Sequence, residues 1–462
     1  MRFFTFLFCL GLSIARADEP FKFPVGLDSE FKAFSATLAS REALDPNRWK
    51  PSVLVISETQ PESLQNDKFL LSFVEFSNVA TFPPEGNAYV SKEQYLWRWI
   101  QALGPDAVVT DNKSLRTALK SLIPTYSSLA DLPVKIEPSP VQLELKSRSS
   151  RTPTEVAEAL SKHYGNHLKS ATYQPALAMI GRSRLAKLTG KNIDAGLIEI
   201  AKVAPESTKM SASHYSGHLI FAELGMTDQT VSAARLAIKN PSDNQMSDSV
   251  FMVCPLLAAA GRLADDEAFY QACVIHFDQM QKLCLRPDGL YRHSPLDEAA
   301  WGRGNGFPAL GLAWVLSEMP ESLAMRERVE LDFVKHIEAL VKYQDASGMW
   351  HQVIDKPGSY REFTSTCMIT FAITRGMEMG VLDLKIYGPI ANRGWEAIKL
   401  RISLDGKSFT DGCTGTGKQK TEQDYFLRTA ILGPDERCGA MALMVSTERA
   451  AWEETLRLRN QK

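Results

Sequence analysis

The sequence has little excess charge of either sign and, after its first residues, no long hydrophobic run. Its 52 basic side chains nearly balance its 54 acidic ones, so the chain lacks the positive charge typical of a nucleic-acid binder. No later segment reaches the roughly 20 uninterrupted apolar residues that a membrane helix needs. The sequence therefore predicts neither a nucleic-acid nor a membrane partner, and any anionic ligand has to be bound by local groups.

The first 17 residues have the pattern of a secretory signal peptide. Arg2 provides a positive start, Phe3 to Ile14 form an apolar run too short to span a bilayer, and Ala15-Arg16-Ala17 is a small-x-small cleavage signal. We expect cleavage to leave a mature chain that begins near Asp18. The predicted location is secreted or periplasmic.

Several motifs that would define a chemistry are missing from the rest of the chain. The β-rich region carries neither a glycine-rich phosphate loop nor a nucleophile elbow. The cysteine spacing fits no zinc pattern, although the even cysteine count permits disulfides without requiring them. The cysteines of the predicted mature chain are Cys254, Cys273, Cys284, Cys367, Cys413 and Cys438.

Residues 18–137 predict a small α/β domain, which we expect to be accessory because it shows no catalytic motif. Its predicted strands and helices are the β-rich runs at 52–57, 69–74 and 106–110 and the amphipathic stretches at 92–103 and 114–122. The polar stretch at 138–152 breaks the periodicity and is predicted to be a linker. It joins the α/β domain to a second domain at 153–462.

From residue 153 onward the pattern changes to one helix after another, each apolar at three- and four-residue spacing. Twelve helices are predicted, at 153–164, 173–188, 193–203, 212–225, 227–239, 247–263, 265–284, 304–318, 325–344, 363–380, 387–402 and 437–455. No fixed repeat of about 34 or 40 residues is visible, which disfavours a solenoid. The preferred architecture is a closed double ring of six inner and six outer helices. Its long connections at 285–303, 345–362 and 403–436 would surround a central cavity.

The stretch from Asp288 to Phe307 is the most informative part of the sequence. It collects His293, Asp297, Glu298, Trp301, Arg303 and Asn305 in one loop. The alternating glycines Gly302, Gly304 and Gly306 permit close backbone approach, which a flexible connector would not need at every second residue. A buried helix follows, so the loop is expected at a helix N-terminus, where an anionic ligand can be held.

Five motifs carry a resemblance to a known group of enzymes. They are Met246–Ala258, Gly289–His293, Trp301–Gly306, Gln344–Gln352 and Glu362–Thr366. In order and spacing they resemble the unsaturated rhamnogalacturonyl and glucuronyl hydrolases of glycoside hydrolase families 88 and 105. The likeness runs from about residue 170 to 450, includes Asp411–Thr416 and Tyr425–Arg428, and leaves out the N-terminal region. It implies an (α/α)6 barrel, in agreement with the helix count.

The resemblance also implies an uncommon chemistry and an oligosaccharide substrate. Polysaccharide lyases leave a 4-deoxy-uronic acid with a C4=C5 double bond, which such hydrolases hydrate after protonating C4. Neither a metal nor an organic cofactor is required. The protein must provide a proton donor, a group that positions water, and a cation for the uronate carboxylate.

The resemblance places the proton donor at Asp248, which precedes the predicted helix with the Phe-Met-x-x-Pro-Leu pattern. Taken alone, Ser247-Asp248 before an apolar run also fits an ordinary helix N-cap. Asp297 and Glu298 are the alternative acids, because they lie in the glycine-rich loop.

Arg303 is the predicted partner of the carboxylate, because a planar guanidinium can bind it through two parallel hydrogen bonds. His293 is predicted to contact a hydroxyl or the attacking water, with a structural histidine as the alternative. Four aromatic side chains offer faces for sugar stacking, with the protein core as the alternative. These rings are Tyr291, Trp301, Phe307 and Trp350, and the remaining predicted substrate contacts are Asn305, Asp297 and Thr366.

The chain departs from the family pattern at one place. Family members usually carry a second acidic residue on an earlier inner helix, which falls here near Ser211–His218, where there is no Asp or Glu. His214 and His218 are the candidates to orient water instead, and Met246 replaces a tryptophan common before the acid. Three functions stay open: an unsaturated uronyl hydrolase, another carbohydrate-active hydrolase or lyase on the same toroid, and an inactive sugar-binding protein.

Overall fold

A computed structural model describes residues 20–77, 79–202, 210–241, 245–459 and 461. The strands in these residues are β1 Phe21–Leu27, β2 Ala33–Leu38, β3 Ser52–Ser57, β4 Leu70–Glu75, β5 Ala107–Val109, β6 Thr125–Tyr126, β7 Phe409–Cys413 and β8 Ala430–Gly433. The first helices are α1 Lys92–Leu103, α2 Lys113–Leu119, α3 Pro140–Ser149, α4 Pro153–Ser161, α5 Tyr173–Leu188, α6 Asp194–Lys202, α7 Ala212–Gly217, α8 Leu219–Glu223 and α9 Thr227–Lys239. The others are α10 Ser249–Ala264, α11 Glu267–Cys284, α12 Gly302–Glu318, α13 Arg326–Val341, α14 Phe363–Glu378, α15 Leu384–Leu400, α16 Glu422–Phe426 and α17 Glu436–Arg459.

Contacts divide the chain into two compact units whose segments alternate along the sequence. The described residues of the first unit are mainly Ser35–Pro83 and Leu103–Leu143. The second contains Pro24–Phe34, Pro84–Ala102 and everything from Glu144 onward. The predicted signal peptide lies outside the described residues. Within them, no helix combines the length and the apolar character that a membrane span needs.

The N-terminal region contains a six-stranded sheet with the order β1-β2-β4-β3-β5-β6. Strands β4, β3, β5 and β6 pair in parallel, and β2 pairs antiparallel with β4. Strand β3 is buried along nearly its whole length, as expected for a central parallel strand. The predicted strands and helices of this α/β region are confirmed, and β1, β2 and β6 are additions to them.

The second unit contains the predicted double ring of helices. Each inner helix contacts the next in the order α5, α7, α10, α12, α14 and α17, and α17 contacts α5, so the ring is closed. Outer helices pack on this ring in the order α4, α6, α9, α11, α13 and α15. Inner and outer helices therefore alternate along the chain. The prediction of a closed (α/α)6 toroid is confirmed.

Burial patterns explain why some helices lie inside and others outside. Helix α10 is buried from Ser249 to Gly261 on every side, because it is surrounded by other helices. Helix α13 buries one stripe, with Val329, Phe333, Ile337 and Leu340 at three- and four-residue spacing. The sequence pattern thus assigns each helix to a layer before any contact is known.

The structure refines the sequence-based boundaries in three places. The helix predicted at 212–225 is two helices, α7 and α8, which meet at His218. The stretch predicted to be a linker contains α3, and α16 adds a short helix in the connection before α17. The contact units group two segments before residue 103, Pro24–Phe34 and Pro84–Ala102, with the toroid. They therefore do not follow the predicted domain limits at 18–137, 138–152 and 153–462, and these limits stay predictions.

The inner helices bring their first residues to a common region of the toroid. The Asp248 and His293 side chains, before α10 and α12, lie 3.5 Å apart. Arg303 in the first turn of α12 contacts Thr364 in the first turn of α14. At the start of α17, Arg437 donates to the Tyr173 hydroxyl at the start of α5. The site predicted from the connecting loops therefore has to be sought at this end.

Close packing of inner helices predicts the effect of one substitution. A Cβ at Gly311 of α12 would lie 2.9 Å from the Cα and N atoms of Phe251 in α10, and backbone atoms cannot easily give way. We expect Gly311→Ala to lower the free energy of unfolding by about 1–3 kcal/mol. As the matched control, Gly196→Ala on α6 meets no atom within 4 Å and should be neutral or stabilising. Denaturant unfolding of both variants checks this, and equal stabilities would contradict it.

Candidate active site

Asp248 lies immediately before α10 and is almost buried. It occupies the N-cap position, but its side chain makes no capping hydrogen bond. Its Oδ1 atom has no hydrogen-bond partner among the described residues and lies 3.5 Å from Nε2 of His293. A capping carboxylate accepts from the first backbone N–H groups of its helix, and this one does not. Capping therefore does not explain this aspartate.

His293 is fully buried and is held beside Asp248 by the backbone. The Ser247 N–H donates to the His293 carbonyl at 2.9 Å, which joins the start of α10 to the connection between α11 and α12. The glycines predicted in this loop, Gly302, Gly304 and Gly306, lie instead in the first turns of α12. On the other side of the ring, Nδ1 lies 2.9 Å from the hydroxyl of Tyr425. The imidazole therefore stands between a carboxyl group and a phenol.

Hydrogen-bond directions indicate where neutral His293 carries its proton. The Tyr425 hydroxyl accepts from the backbone N–H of Gln419 at 3.3 Å, so its own proton needs another acceptor. Burial raises the pKa of Tyr425, which keeps the phenol protonated. Among the described contacts, Nδ1 of His293 is that acceptor, which leaves Nε2 as the N–H that faces Asp248.

Trp301 and Arg303 form the next layer of the site. The Trp301 ring centre lies 4.3 Å from that of His293, and the Arg303 guanidinium lies 4.6 Å from the Trp301 ring centre. Nη1 and Nη2 of Arg303 donate to the carbonyls of Cys413 and Thr414 at 2.7 and 2.8 Å. The guanidinium is therefore fixed by an aromatic face and two backbone carbonyls.

Electrostatics keep Arg303 charged although it is buried. Burial alone would lower its pKa, but nearby groups, Cys413 and Tyr173 first and then the Glu362 and Asp248 carboxyl groups, raise it above the usual value. Asp248 and Arg303 thus interact across the same site despite their separation along the chain. The sequence analysis predicted that these two residues share one site, and their roles there stay predictions.

Glu362 is a fully buried carboxylate that connects two parts of the site, the start of α14 and the end of β7. It caps α14 by accepting from the backbone N–H groups of Thr364 and Ser365 at 2.9 and 2.6 Å. The same carboxylate accepts from the Thr364 hydroxyl and from the backbone N–H of Cys413 at 2.7 Å. The strand that holds Arg303 is therefore also attached to α14.

Four buried polar atoms of the site have no hydrogen-bond partner among the described residues. They are Oγ of Ser247, Oδ1 of Asp248, Nε2 of His293 and Nε1 of Trp301. A Cβ at Gly304 would lie 3.0–3.4 Å from atoms of Ser247, Trp301 and His293, so glycine keeps this place open. Because buried polar groups are normally hydrogen-bonded, their concentration here indicates a site that binds a polar molecule.

The two alternative acids, Asp297 and Glu298, lie in different surroundings. Oδ1 of Asp297 accepts from the backbone N–H of Ala299 at 2.7 Å, and its charge contributes to the raised pKa of Tyr425. Asp297 therefore lies near the site but is engaged with its own loop. Glu298 is exposed and forms an ion pair with Arg292, so its carboxylate faces solvent.

Several predicted contact residues belong to the scaffold. The Asn305 amide exchanges hydrogen bonds with the backbone of Tyr291 at 2.7 and 2.8 Å and also donates to the Trp301 carbonyl. Phe307 stacks on Phe251 in the core. The side chains of Tyr291, Trp350 and Thr366 are buried too, and Trp350 Nε1 and Thr366 Oγ1 are bonded to backbone carbonyls. For these side chains the geometry supports the structural alternative, because their polar groups already have partners or they lie in the core.

Among the residues that line the cavity beside His214 and His218, none is Asp248, His293 or Arg303. Nδ1 of His214 pairs with Ser211 at the start of α7, and Nδ1 of His218 pairs with the His214 carbonyl at 2.7 Å. Both rings line a cavity between α7, α8 and α9. The expectation that one of them orients the attacking water has no support in this geometry, because their helix directs them toward the outer layer.

The sequence analysis missed two residues that shape the site. Tyr425 stood in a segment that resembled the family, but no role was assigned to it, because a tyrosine in a polar connection carries no motif of its own. Glu362 opened another such segment. The pattern Glu-Phe-Thr-Ser before an apolar run is the sequence signal that could have identified this capping carboxylate.

The closed double ring of helices defines the class of protein as an (α/α)6 toroid. Residues 218–452, about half of the chain, match the model of Glycosyl Hydrolase Family 88. The chain belongs to glycosyl hydrolase family 88. This confirms the resemblance found in the sequence motifs.

Two curated relatives carry names that state an activity. The unsaturated rhamnogalacturonyl hydrolase YesR of Bacillus subtilis (strain 168) is 25% identical over 209 residues, which are 44% of this chain and 58% of that protein. An unsaturated 3S-rhamnoglycuronyl hydrolase of Alteromonas sp. (strain LOR) is 30% identical over 109 residues, 23% of this chain and 26% of that protein. The aligned region thus spans less than two thirds of either relative.

Solved structures share the fold. A possible member of family GH105 from Klebsiella pneumoniae has a TM-score of 0.56 at 19% identity, covering 70% of this chain and 97% of that one. A family 88 glycosyl hydrolase from Bacteroides vulgatus has a TM-score of 0.55 at 18% identity, covering 65% of this chain and all of that one. At these identities the likeness establishes the architecture alone.

The Tyr425 contact predicts the tautomer of His293. In the native protein at a pH where the ring is neutral, Nδ1 should be the unprotonated nitrogen. Tyr425→Phe removes the donor, so the Nδ1-protonated tautomer should gain population. Nitrogen-15 NMR of the imidazole checks this, with Tyr270→Phe as the control because that hydroxyl donates to the Glu318 carbonyl instead. A protonated Nδ1 in the native protein would contradict the assignment.

Proposed function

We propose that the protein hydrolyses oligosaccharides that end in an unsaturated 4-deoxy-hex-4-enuronosyl residue, the products of polysaccharide lyases. The observation that carries the proposal is the buried Oδ1 of Asp248, which has no hydrogen-bond partner among the described residues and lies 3.5 Å from Nε2 of His293. Family membership and the activities named for the two curated relatives support the same substrate class.

In the proposed reaction Asp248 is the proton donor. Its carboxyl group transfers a proton to C4 of the vinyl ether, which places positive charge on C5 and the ring oxygen. Water then adds to C5 and gives up a proton to the Asp248 carboxylate, which restores the acid. The hemiketal that results opens and releases the aglycone. The Nε2–H of His293 is directed to the same point and donates to a substrate hydroxyl or to the water.

Arg303 is proposed to bind the uronate carboxylate. Its contacts with Thr364, Cys413 and Thr414 use three of the five N–H donors of a guanidinium, so donors are left for a ligand. Trp301 supports the guanidinium from one face, which fixes its plane. A fixed, charged guanidinium is suited to a planar carboxylate.

Asp248→Asn tests the assignment of the acid. The amide keeps the shape of the side chain and has no proton to donate, so turnover should fall by on the order of 10² to 10⁴. The assay is the loss of ultraviolet absorbance of the conjugated double bond with a panel of lyase-generated oligosaccharides. Glu298→Gln is the matched control, because this exposed carboxylate pairs with Arg292 and should be dispensable.

A different outcome would identify another acid. If Asp248→Asn retains near-normal turnover and Asp297→Asn loses it, the loop carboxylate is the proton donor. If the native protein consumes no double bond in any substrate of the panel, the proposed reaction itself is wrong.

Export is also proposed, on the strength of the N-terminal sequence. Arg2, the apolar run to Ile14 and the Ala15-Arg16-Ala17 signal support a cleaved leader. Protein expressed from the full reading frame in a host with a secretory pathway should begin near Asp18. N-terminal sequencing of the mature product checks this, and an intact Met1 would contradict it.

A further inference from the structure

The segment Pro84–Ala102 comes from the region predicted to be accessory, yet its contacts group it with the toroid. The Tyr89 hydroxyl donates to Oδ1 of Asp411 at 2.7 Å. Nη1 of Arg98 lies 3.8 Å from the same oxygen, and Nε of Arg401 lies 3.7 Å from the other. Both arginines are beyond hydrogen-bond distance. Of these three neighbours, Tyr89 is therefore the one that donates a hydrogen bond to the Asp411 carboxylate.

Asp411 has an unusual backbone. Its φ is +66°, in the left-handed region that favours glycine, and the pairing of β7 with β8 shifts register between Thr410 and Gly412. An extra residue of this kind bends a strand and changes the direction of the groups that follow it. The side chain is buried, so its conformation depends on its partners.

The groups that follow Asp411 are those that hold the site together. The Cys413 and Thr414 carbonyls accept from Arg303, and the Cys413 N–H donates to Glu362. The bend at Asp411 therefore determines where these two carbonyls point. The Tyr89 hydroxyl is thus linked to the Arg303 guanidinium through Asp411 and the carbonyls of Cys413 and Thr414.

We propose that Tyr89 is a positioning residue of the active site, which acts through Asp411 and the end of β7 on Arg303. Arg98 adds positive charge beside the same carboxylate. This inference rests on the proposed function, in which Arg303 binds the uronate. It assigns a positioning role to part of residues 18–137, the region that the sequence analysis expected to be accessory.

The surroundings of Tyr89 provide a matched pair of variants. Its ring stacks on Tyr360 at 4.8 Å between ring centres and packs on Tyr95 at 4.6 Å. The Tyr95 hydroxyl is buried and has no hydrogen-bond partner among the described residues. Tyr89→Phe and Tyr95→Phe thus each remove one phenol hydroxyl from the same aromatic cluster. Tyr89→Phe also removes a hydrogen-bond donor to Asp411.

The first measurement is steady-state kinetics with an unsaturated oligosaccharide that the native protein hydrolyses. A guanidinium that binds carboxylate equally in the ground and transition states affects KM and leaves kcat nearly unchanged. Tyr89→Phe should therefore raise KM by about three- to ten-fold, within the usual range for coupled neighbours. Tyr95→Phe should leave both constants near the native values. Equal KM values for the two variants would overturn the inference.

A double-mutant cycle tests whether the effect passes through Arg303. Arg303→Lys should raise KM by itself, because a point charge cannot reproduce a planar contact. If Tyr89 acts through this guanidinium, adding Tyr89→Phe to Arg303→Lys should change KM by less than about two-fold, well below its effect in the native background. Full additivity of the two changes would show that Tyr89 acts by another route.

Amide hydrogen exchange separates this inference from the proposed function. Tyr89→Phe should speed exchange of the Gly412, Cys413 and Thr414 amides, and Tyr95→Phe should not. This readout needs no substrate. If the native protein turns over no unsaturated oligosaccharide, the proposed function fails, and the exchange data still decide whether Tyr89 positions β7. Unchanged exchange in Tyr89→Phe would overturn that part.

Discussion

The site depends on one buried carboxylate that the chain surrounds with donors. Glu362 accepts from backbone N–H groups of α14, from the Thr364 hydroxyl and from the Cys413 N–H. A buried charge is costly unless such partners satisfy it, so the carboxylate holds helix and strand at a fixed separation. Arg303 occupies the space between them. The position of the Arg303 guanidinium therefore depends on the hydrogen bonds that satisfy the Glu362 carboxylate.

Among the predicted site residues, some polar side chains are satisfied by the backbone and others have atoms left for a ligand. Asn305, Trp350 and Thr366 have polar groups bonded to the backbone, and they fix loops to helices. Asp248 and His293 have polar atoms at hydrogen-bonding positions without partners among the described residues. The free-energy penalty of such atoms is tolerated where a ligand supplies the missing bonds.

The number of periodic helices and the absence of a fixed repeat were enough to predict the toroid, and the family resemblance implied the same architecture. Motif order was enough to bring Asp248, His293 and Arg303 into one site. The sequence could not show which polar side chains form hydrogen bonds with the backbone. The partners of Asn305, for example, are known only from the folded structure. Nor could the sequence show that Tyr89, far away along the chain, reaches Asp411. Long-range pairs of single side chains leave no periodic signal.

Closure of the ring between α17 and α5 has a consequence for how the protein matures during synthesis. The last inner helix fills the gap between the first and the fifth, so an incomplete chain exposes an apolar edge until Glu436–Arg459 emerges. Strand β7, which holds Arg303, leaves the ribosome shortly before it. The nascent chain therefore gains the backbone carbonyls that hold Arg303 and its closed core in the same late step, and a truncated product would lack both and expose apolar surface.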